Sequence, residues 1–288
     1  MQRIAVLVPS CDHYSDLWLP FFTTLRQQWP DIPFELVLVT NHKDFTFRGV
    51  TVIRVGEDKG WCANLKLALS QIGAEAILLF VDDLFINRRV DSVAVERLFR
   101  RFLLEGMNYL RFNPTPGPTE RLDADGIGEV CPGDYYRAST VVSLWRKTVL
   151  QEVLRDNETA WELEIVGSSR TRQYGGWFAS SRWLIPTTNL VIKGRYDPFA
   201  FWRLRRTGLS LSDHRPRMSG VQSIRFLAGR VRARLFHLMV PGSVRQRVRQ
   251  RFRGAVKPAL WTPPAESGAK EARGAGEVML RASGSDRK

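Results

Sequence analysis

Three short apolar runs, at residues 4–8, 34–39 (broken only by Glu35) and 76–81, constrain this chain more than any other feature. A run that is apolar at every position suits a strand buried on both faces, as in a parallel sheet covered by helices. Between the first two runs, Trp18, Phe21, Phe22, Leu25 and Trp29 recur at helical intervals, and Pro30 stops the pattern. The spacing makes Asp16 the cap of that helix and puts Pro20 in its first turn, where proline is tolerated. Residues 50–55 read as a further strand, and Trp61, Leu65, Ala68, Leu69 and Ile72 as a second amphipathic helix. A helix over 90–104 and a strand over 109–112 follow. Residues 113–134, rich in Pro, Gly and Asp, read as a long loop. A strand around Trp145, a helix through Leu154 and a late strand over 187–192 complete the pattern.

This alternation predicts an α/β fold with a mostly parallel sheet flanked by helices. Ligands of such sheets bind at the carboxyl ends of the strands. Loops 9–15, 40–47, 56–64 and 82–87 should therefore share one edge. Cys11, Cys62 and Cys131 have no paired spacing, so neither a disulfide scaffold nor a zinc site is indicated, and reduced thiols in a cytosol fit best. No apolar stretch is long enough to cross a bilayer or serve as a signal peptide.

Charge divides the chain unevenly. From residue 193 to the end there are 22 basic and 6 acidic side chains, a net +16, while residues 1–192 carry a net −2. The last third is thus a basic module suited to an anionic surface. Within it, Ile224, Leu227, Val231, Leu235 and Leu238 form an apolar stripe with Arg225, Arg230, Arg232 and Arg234 off it. A basic amphipathic helix of this kind lies well on anionic lipid. Nucleic-acid binding is the runner-up, disfavoured because charge alone supports it, and a solvated helix packed on the rest of the protein is a third reading. Residues 258–288 have little to bury and read as a disordered tail.

The sharpest chemical feature is Asp82-Asp83 at the end of the 76–81 strand. Two acids there are costly unless a cation neutralises them, and Mg²⁺ or Mn²⁺ bridging a diphosphate would do so. The plain alternative is a helix cap beside a solvated loop acid. Lys193 and Arg195, flanking Gly194, could hold a diphosphate or could be solvated. Asp12 could read a nucleotide base or brace a loop. Trp61 could cover the nucleotide, although core packing is the stronger reading, as it is for Trp145.

Several motifs together resemble the inverting GT-A (family-2-like) glycosyltransferases of bacterial surface polysaccharide and lipopolysaccharide synthesis. Val8-Pro9-Ser10-Cys11-Asp12 resembles their first strand and base-binding loop. Gly60, Trp61 and Asn64 stand where they have a glycine loop and an Asn-bearing helix, running into Val81-Asp82-Asp83. Thr159-Ala160-Trp161-Glu162-Leu163-Glu164 resembles the segment that supplies the catalytic base. The resemblance covers roughly residues 4–195. It implies a Rossmann-like GT-A fold, a nucleotide-sugar donor and a divalent metal held by Asp83 and Asp82. It further implies Glu162 as general base, with Glu164 pointing elsewhere, and a glycan or lipid-linked acceptor. Leu84 departs from the pattern, where a third acid is expected, so Asp83 alone could hold the metal. The Gln-x-x-Arg-Trp motif of processive synthases is missing, since Ala179 replaces the Gln before Arg182-Trp183.

The expected organisation is a catalytic domain over 1–200, a basic helical C-terminal extension over 201–257 and the tail. The expected location is cytoplasmic, peripheral on the inner face of the cytoplasmic membrane. Rival chemistries lack their signatures. No Gly-x-Gly-x-x-Gly follows the first strand, which disfavours dinucleotide enzymes, and no Walker loop occurs. A sugar nucleotidyltransferase would want a Gly-rich first loop with a basic residue. A non-catalytic nucleic-acid or membrane-binding protein remains the third alternative.

Overall fold

The computed structural model describes residues 3–119, 122–134 and 136–239, with side chains as far as residue 229. The N-terminal half runs β1 (Ile4–Pro9), α1 (Ser15–Gln28), β2 (Glu35–Thr40), β3 (Val50–Arg54), α2 (Trp61–Ser70) and β4 (Ala76–Leu79). It continues through β5 (Leu84–Ile86), α3 (Ser92–Leu104), β6 (Tyr109–Arg111), β7 (Ile127–Glu129), β8 (Ser143–Arg146) and α4 (Lys147–Val153). Then come the short helices α5 (Ala160–Glu162) and α6 (Ser168–Arg170), and strands β9 (Trp177–Ser180), β10 (Thr187–Asn189), β11 (Val191–Ile192) and β12 (Arg195–Tyr196). Helices α7 (Pro198–Arg205) and α8 (Gly220–Met239) close the described chain.

Eight strands form one sheet in the order β3-β2-β1-β4-β8-β6-β9-β7. Strands β1 to β4 are mutually parallel, as the apolar runs predict, and β9 is parallel to β6. Strand β8 enters antiparallel between β4 and β6, and β7 pairs antiparallel at the far edge. The fold is therefore α/β with a mostly parallel sheet covered on both faces. Side chains alternate across it: Val6, Val8, Leu36, Leu38 and Leu78 join α1 and α3 on one face. Ala5, Leu7, Val37, Val39, Ile77 and Leu79 join α2 and α4 on the other. Phe201, Leu204, Leu209 and Leu211 continue the first of these clusters beyond residue 200.

Four sequence expectations change. Helix α1 begins at Ser15, so Pro20 lies in its second turn and leaves the Asp16 carbonyl without its usual backbone donor. Asp16 is not the cap, because the helix already starts at Ser15; Tyr14 precedes it with no side-chain cap bond, and the Asp16 carboxylate is engaged by Arg215. The 113–134 loop contains β7. The 82–87 loop contains β5, which pairs with β10 and brings the late chain back to the acidic pair. The tail and residues 240–257 of the basic extension lie outside the described residues.

Candidate functional site

Strands β1, β2 and β4 run parallel, so their carboxyl ends meet at one edge, together with the turn before α2. Asp82 is 7% exposed there, and Asp83 is half-buried. The Ser10 hydroxyl, just past β1, donates to Asp82 and accepts the Trp18 indole N–H at 2.7 Å. Burial above all, and then the neighbouring Asp83 charge, pushes the Asp82 carboxyl up to about 8; Ser10 and Arg215 pull against it. Burial pushes Asp83 up to about 6, again opposed by Arg215. Two carboxyls held this far above their ordinary range describe a place that lacks positive charge.

A built-in cation whose charge reaches both acids is Arg215. Its Nε and Nη2 donate to the two Asp16 oxygens at 2.9 and 2.6 Å, and its guanidinium lies 4.5 Å over the Tyr14 ring. Its Nη1 reaches the Gly194 carbonyl at 3.4 Å. Asp83 itself accepts the Leu190 N–H at its backbone carbonyl, at 2.8 Å. The late chain is thus fastened to the acidic edge at two points. Lys193 and Gly194 both have positive φ, at 51° and 75°, and form the two-residue turn between β11 and β12. This places Lys193 and Arg195, both exposed, at a hairpin that starts immediately after the residues bonded to Asp83.

Asp12 braces a loop. Its carboxylate accepts the backbone N–H groups of Asn41, His42 and Lys43 at 3.0 to 3.2 Å, and the Asn41 side chain accepts the Asp12 N–H in return. Desolvation raises the Asp12 carboxyl, but these donors outweigh it and hold the group below its ordinary range. The loops after β1 and β2 are thereby locked together. Asn64 does the same for the turn before α2: it donates to Asp58 at 2.8 Å and accepts the Lys59 N–H at 3.2 Å. Gly60, at φ 93°, occupies a backbone region that any other residue would strain to adopt. Trp61 is half-buried against the α2-side cluster, and Trp145 is wholly buried in it.

The two glutamates diverge. Glu162 completes a capping box with Thr159, accepting its N–H at 2.8 Å and its hydroxyl at 2.9 Å. Glu164 is 8% exposed, and its Oε1 accepts Ser139 Oγ, Thr140 N and Thr140 Oγ1 at 3.0, 2.6 and 2.9 Å. Burial raises its carboxyl; those bonds and the charge of Arg111 partly offset the rise. Residues 139 and 140 precede β8, which pairs Ser143 with Leu79, so Glu164 stands one strand away from the acidic pair. Arg111, at the end of β6, is fully buried; Nη1 donates to the Tyr136 carbonyl, and Nε and Nη2 have no partner among the described residues.

Sequence reasoning missed Arg215, Asp58 and Arg111, and quoted Ser10 without a role. Only Ser10 had a local signal, as a hydroxyl directly after the first strand. Among the described residues no group of three or more His, Cys, Asp or Glu forms a metal cluster, and Leu84, where a third acid was wanted, is buried in β5. The donor set that is present, two carboxylates in want of charge beside a hydroxyl, consists of hard oxygens. It fits a divalent cation whose remaining ligands come from phosphate or water. Among the described residues no helix is long and apolar enough to cross a membrane.

No family model matches the chain, and no curated protein does. Solved structures similar to it include residues 1–349 of TarS from S. aureus, at 14% identity, with 72% of this chain and 64% of that one covered and a TM-score of 0.43. The chain thus spans less than two thirds of that structure. A mannosyltransferase from Pyrobaculum calidifontis, in complex with GDP-Man and Mn²⁺, matches at 13% identity over 72% of this chain and 61% of that one, with a TM-score of 0.44. HddC from Yersinia pseudotuberculosis matches at 12% identity over 71% and 99%, with a TM-score of 0.43.

Proposed function

We propose that this chain is a nucleotide-sugar-dependent, inverting glycosyltransferase of the GT-A type acting on a cell-envelope glycan or lipid-linked acceptor. The observation that carries the reading is the Asp82–Asp83 pair, one buried and one half-buried, short of positive charge at the carboxyl edge of the parallel strands. Asp83 and Asp82 would hold Mg²⁺ or Mn²⁺, which supplies neutralisation of the departing diphosphate when bound. Arg215 adds fixed positive charge behind the pair, and Lys193 and Arg195 are placed to meet the outer phosphate oxygens. Gly60, Trp61 and Asn64 shape the donor side, and Asp12 keeps the base-binding loop in register rather than touching the base.

Inverting transfer needs one general base. The acceptor oxygen attacks the anomeric carbon, the bond to the diphosphate breaks, and the hydroxyl proton passes to the base. Of the two candidates, Glu164 is better supported than Glu162. Burial raises its carboxyl above the ordinary range, and its three side-chain hydrogen bonds all fall on Oε1. Glu162 is engaged in capping α5. Docking of the basic extension on anionic lipid would bring a lipid-linked acceptor to this edge, from a cytoplasmic location on the inner face of the membrane.

The test is thermal unfolding with UDP-, GDP-, CMP- and TDP-sugars in the presence of Mn²⁺. A ligand at about a hundred times its Kd stabilises by about 2.7 kcal/mol, so the matching nucleotide should raise Tm by several degrees. The Asp83→Ala variant should lose that rise. No shift with any of them overturns the reading.

A further inference from the structure

Helix α7 starts where Asp197 accepts the Ala200 N–H and Pro198 takes the first helical position. Its inner face buries Ala200, Phe201 and Leu204. Its outer face leaves Phe199 62% and Trp202 50% exposed, and these two are neighbours at helical spacing. Helix α8 repeats the pattern, with Val221, Ile224 and Leu227 exposed at 60%, 60% and 54%. Scattered apolar residues on a surface are ordinary, but two successive helices presenting such rows are not.

Charge surrounds these rows. From 198 to 229 there are six arginines and one acidic residue, Asp213, which is already paired with Arg205 and Arg217. The guanidiniums of Arg217 and Arg205 lie 5.3 and 5.8 Å from the Trp202 ring centre. An indole bracketed by arginines suits the headgroup level of a bilayer, where the ring enters the interface and the charges meet lipid phosphates. A nucleic-acid surface would use the arginines and could stack on Trp202. It offers nothing to Val221, Ile224 and Leu227.

We propose that Phe199 and Trp202 of α7, with Val221, Ile224 and Leu227 of α8, form a docking face for an anionic phospholipid surface. The inference rests on the membrane part of the function proposed above and extends it to α7, whose aromatics are the inserting groups. Because the same stretch of chain carries Arg215, which is fastened to Asp16 beside the acidic pair, the docked face and the site share one support.

The experiment is flotation of the full-length protein with vesicles of phosphatidylcholine mixed with phosphatidylglycerol, compared with phosphatidylcholine alone. The wild type should float only with the anionic vesicles. The variant Phe199→Ser/Trp202→Ser, altered at exposed positions, should keep the wild-type Tm and bind about tenfold or more weakly. Equal flotation of variant and wild type overturns the role of α7 while leaving the basic extension as the lipid-binding part. Absence of flotation at physiological salt, with double-stranded DNA retained instead, overturns lipid docking in favour of nucleic acid. The nucleotide-sugar Tm shift, which does not involve these residues, should survive in the variant, so failure of the donor reading is seen separately.

Discussion

Arg215 clasps Asp16 through two hydrogen bonds, at 2.9 and 2.6 Å, across 199 positions of sequence, with only 6% of the arginine side chain exposed. The pair joins the first turn of α1 to the chain that follows β12. It also holds in place an arginine whose charge acts on both Asp82 and Asp83. Removing one partner of a largely buried pair leaves the other uncompensated, at a cost of about 3–5 kcal/mol. Arg215→Ala should therefore lower Tm markedly and weaken the donor-induced shift at the same time. Wild-type stability in this variant would show that the clasp contributes nothing.

The raised carboxyls of Asp82 and Asp83 set a pH dependence. Unfolded, both would titrate near about 4; folded, they titrate near about 8 and about 6. Between these values the folded chain holds protons that the unfolded chain has released. Their contribution to stability is complete below about pH 4 and is lost as pH rises toward about 8. Without ligand, Tm should fall between about pH 5 and about pH 8, and Asp82→Asn should flatten the decline. Mn²⁺ with the matching nucleoside diphosphate should also flatten it. A profile that rises over this range in the unliganded protein contradicts the assignment.

Turnover separates the two glutamates. Glu164→Gln should reduce kcat by about 10² to 10⁴ with donor affinity little changed. Glu162→Gln keeps a side chain able to complete the capping box, so it should stay close to wild type in both rate and Tm. The reverse pattern would return the base to Glu162.

Asp12→Ala removes the acceptor of three backbone N–H groups and should cost about 2 kcal/mol of stability, read by chemical denaturation. Base preference among nucleotides should change little, because the side chain faces the loop. A variant as stable as the wild type, with altered base preference, would assign Asp12 to recognition.

Much of the fold was legible because it is written in local periods. The runs at 4–8 and 76–81 are apolar at every position and 34–39 is broken only by Glu35, a pattern suited to strands covered on both faces, so the parallel half of the sheet and its ligand edge followed. Strands β5 and β7 were not legible: at three residues each, they are too short to carry a period, and β7 also lies inside a Pro- and Gly-rich stretch. The site divided in the same way. Asp82 and Asp83 could be found because acids at the end of a buried strand are costly. Arg215 and Arg111 could not, since each owes its place to contacts made far along the chain. Asp16 misled too: its position suggested a cap, but the helix starts one residue earlier and the carboxylate binds a distant arginine.

The antiparallel entry of β8 between β4 and β6 has a consequence for how the protein must come into being. As synthesis proceeds, β4 emerges with β1 on one side and an open, wholly apolar edge on the other. Its second neighbour is not made until the ribosome has passed residue 146. Throughout that interval the nascent chain carries an unsatisfied strand edge able to recruit other chains. Fragments ending before β8 should aggregate rather than fold, and the acidic pair that follows β4 should take up its geometry only after the second half of the sheet has been added.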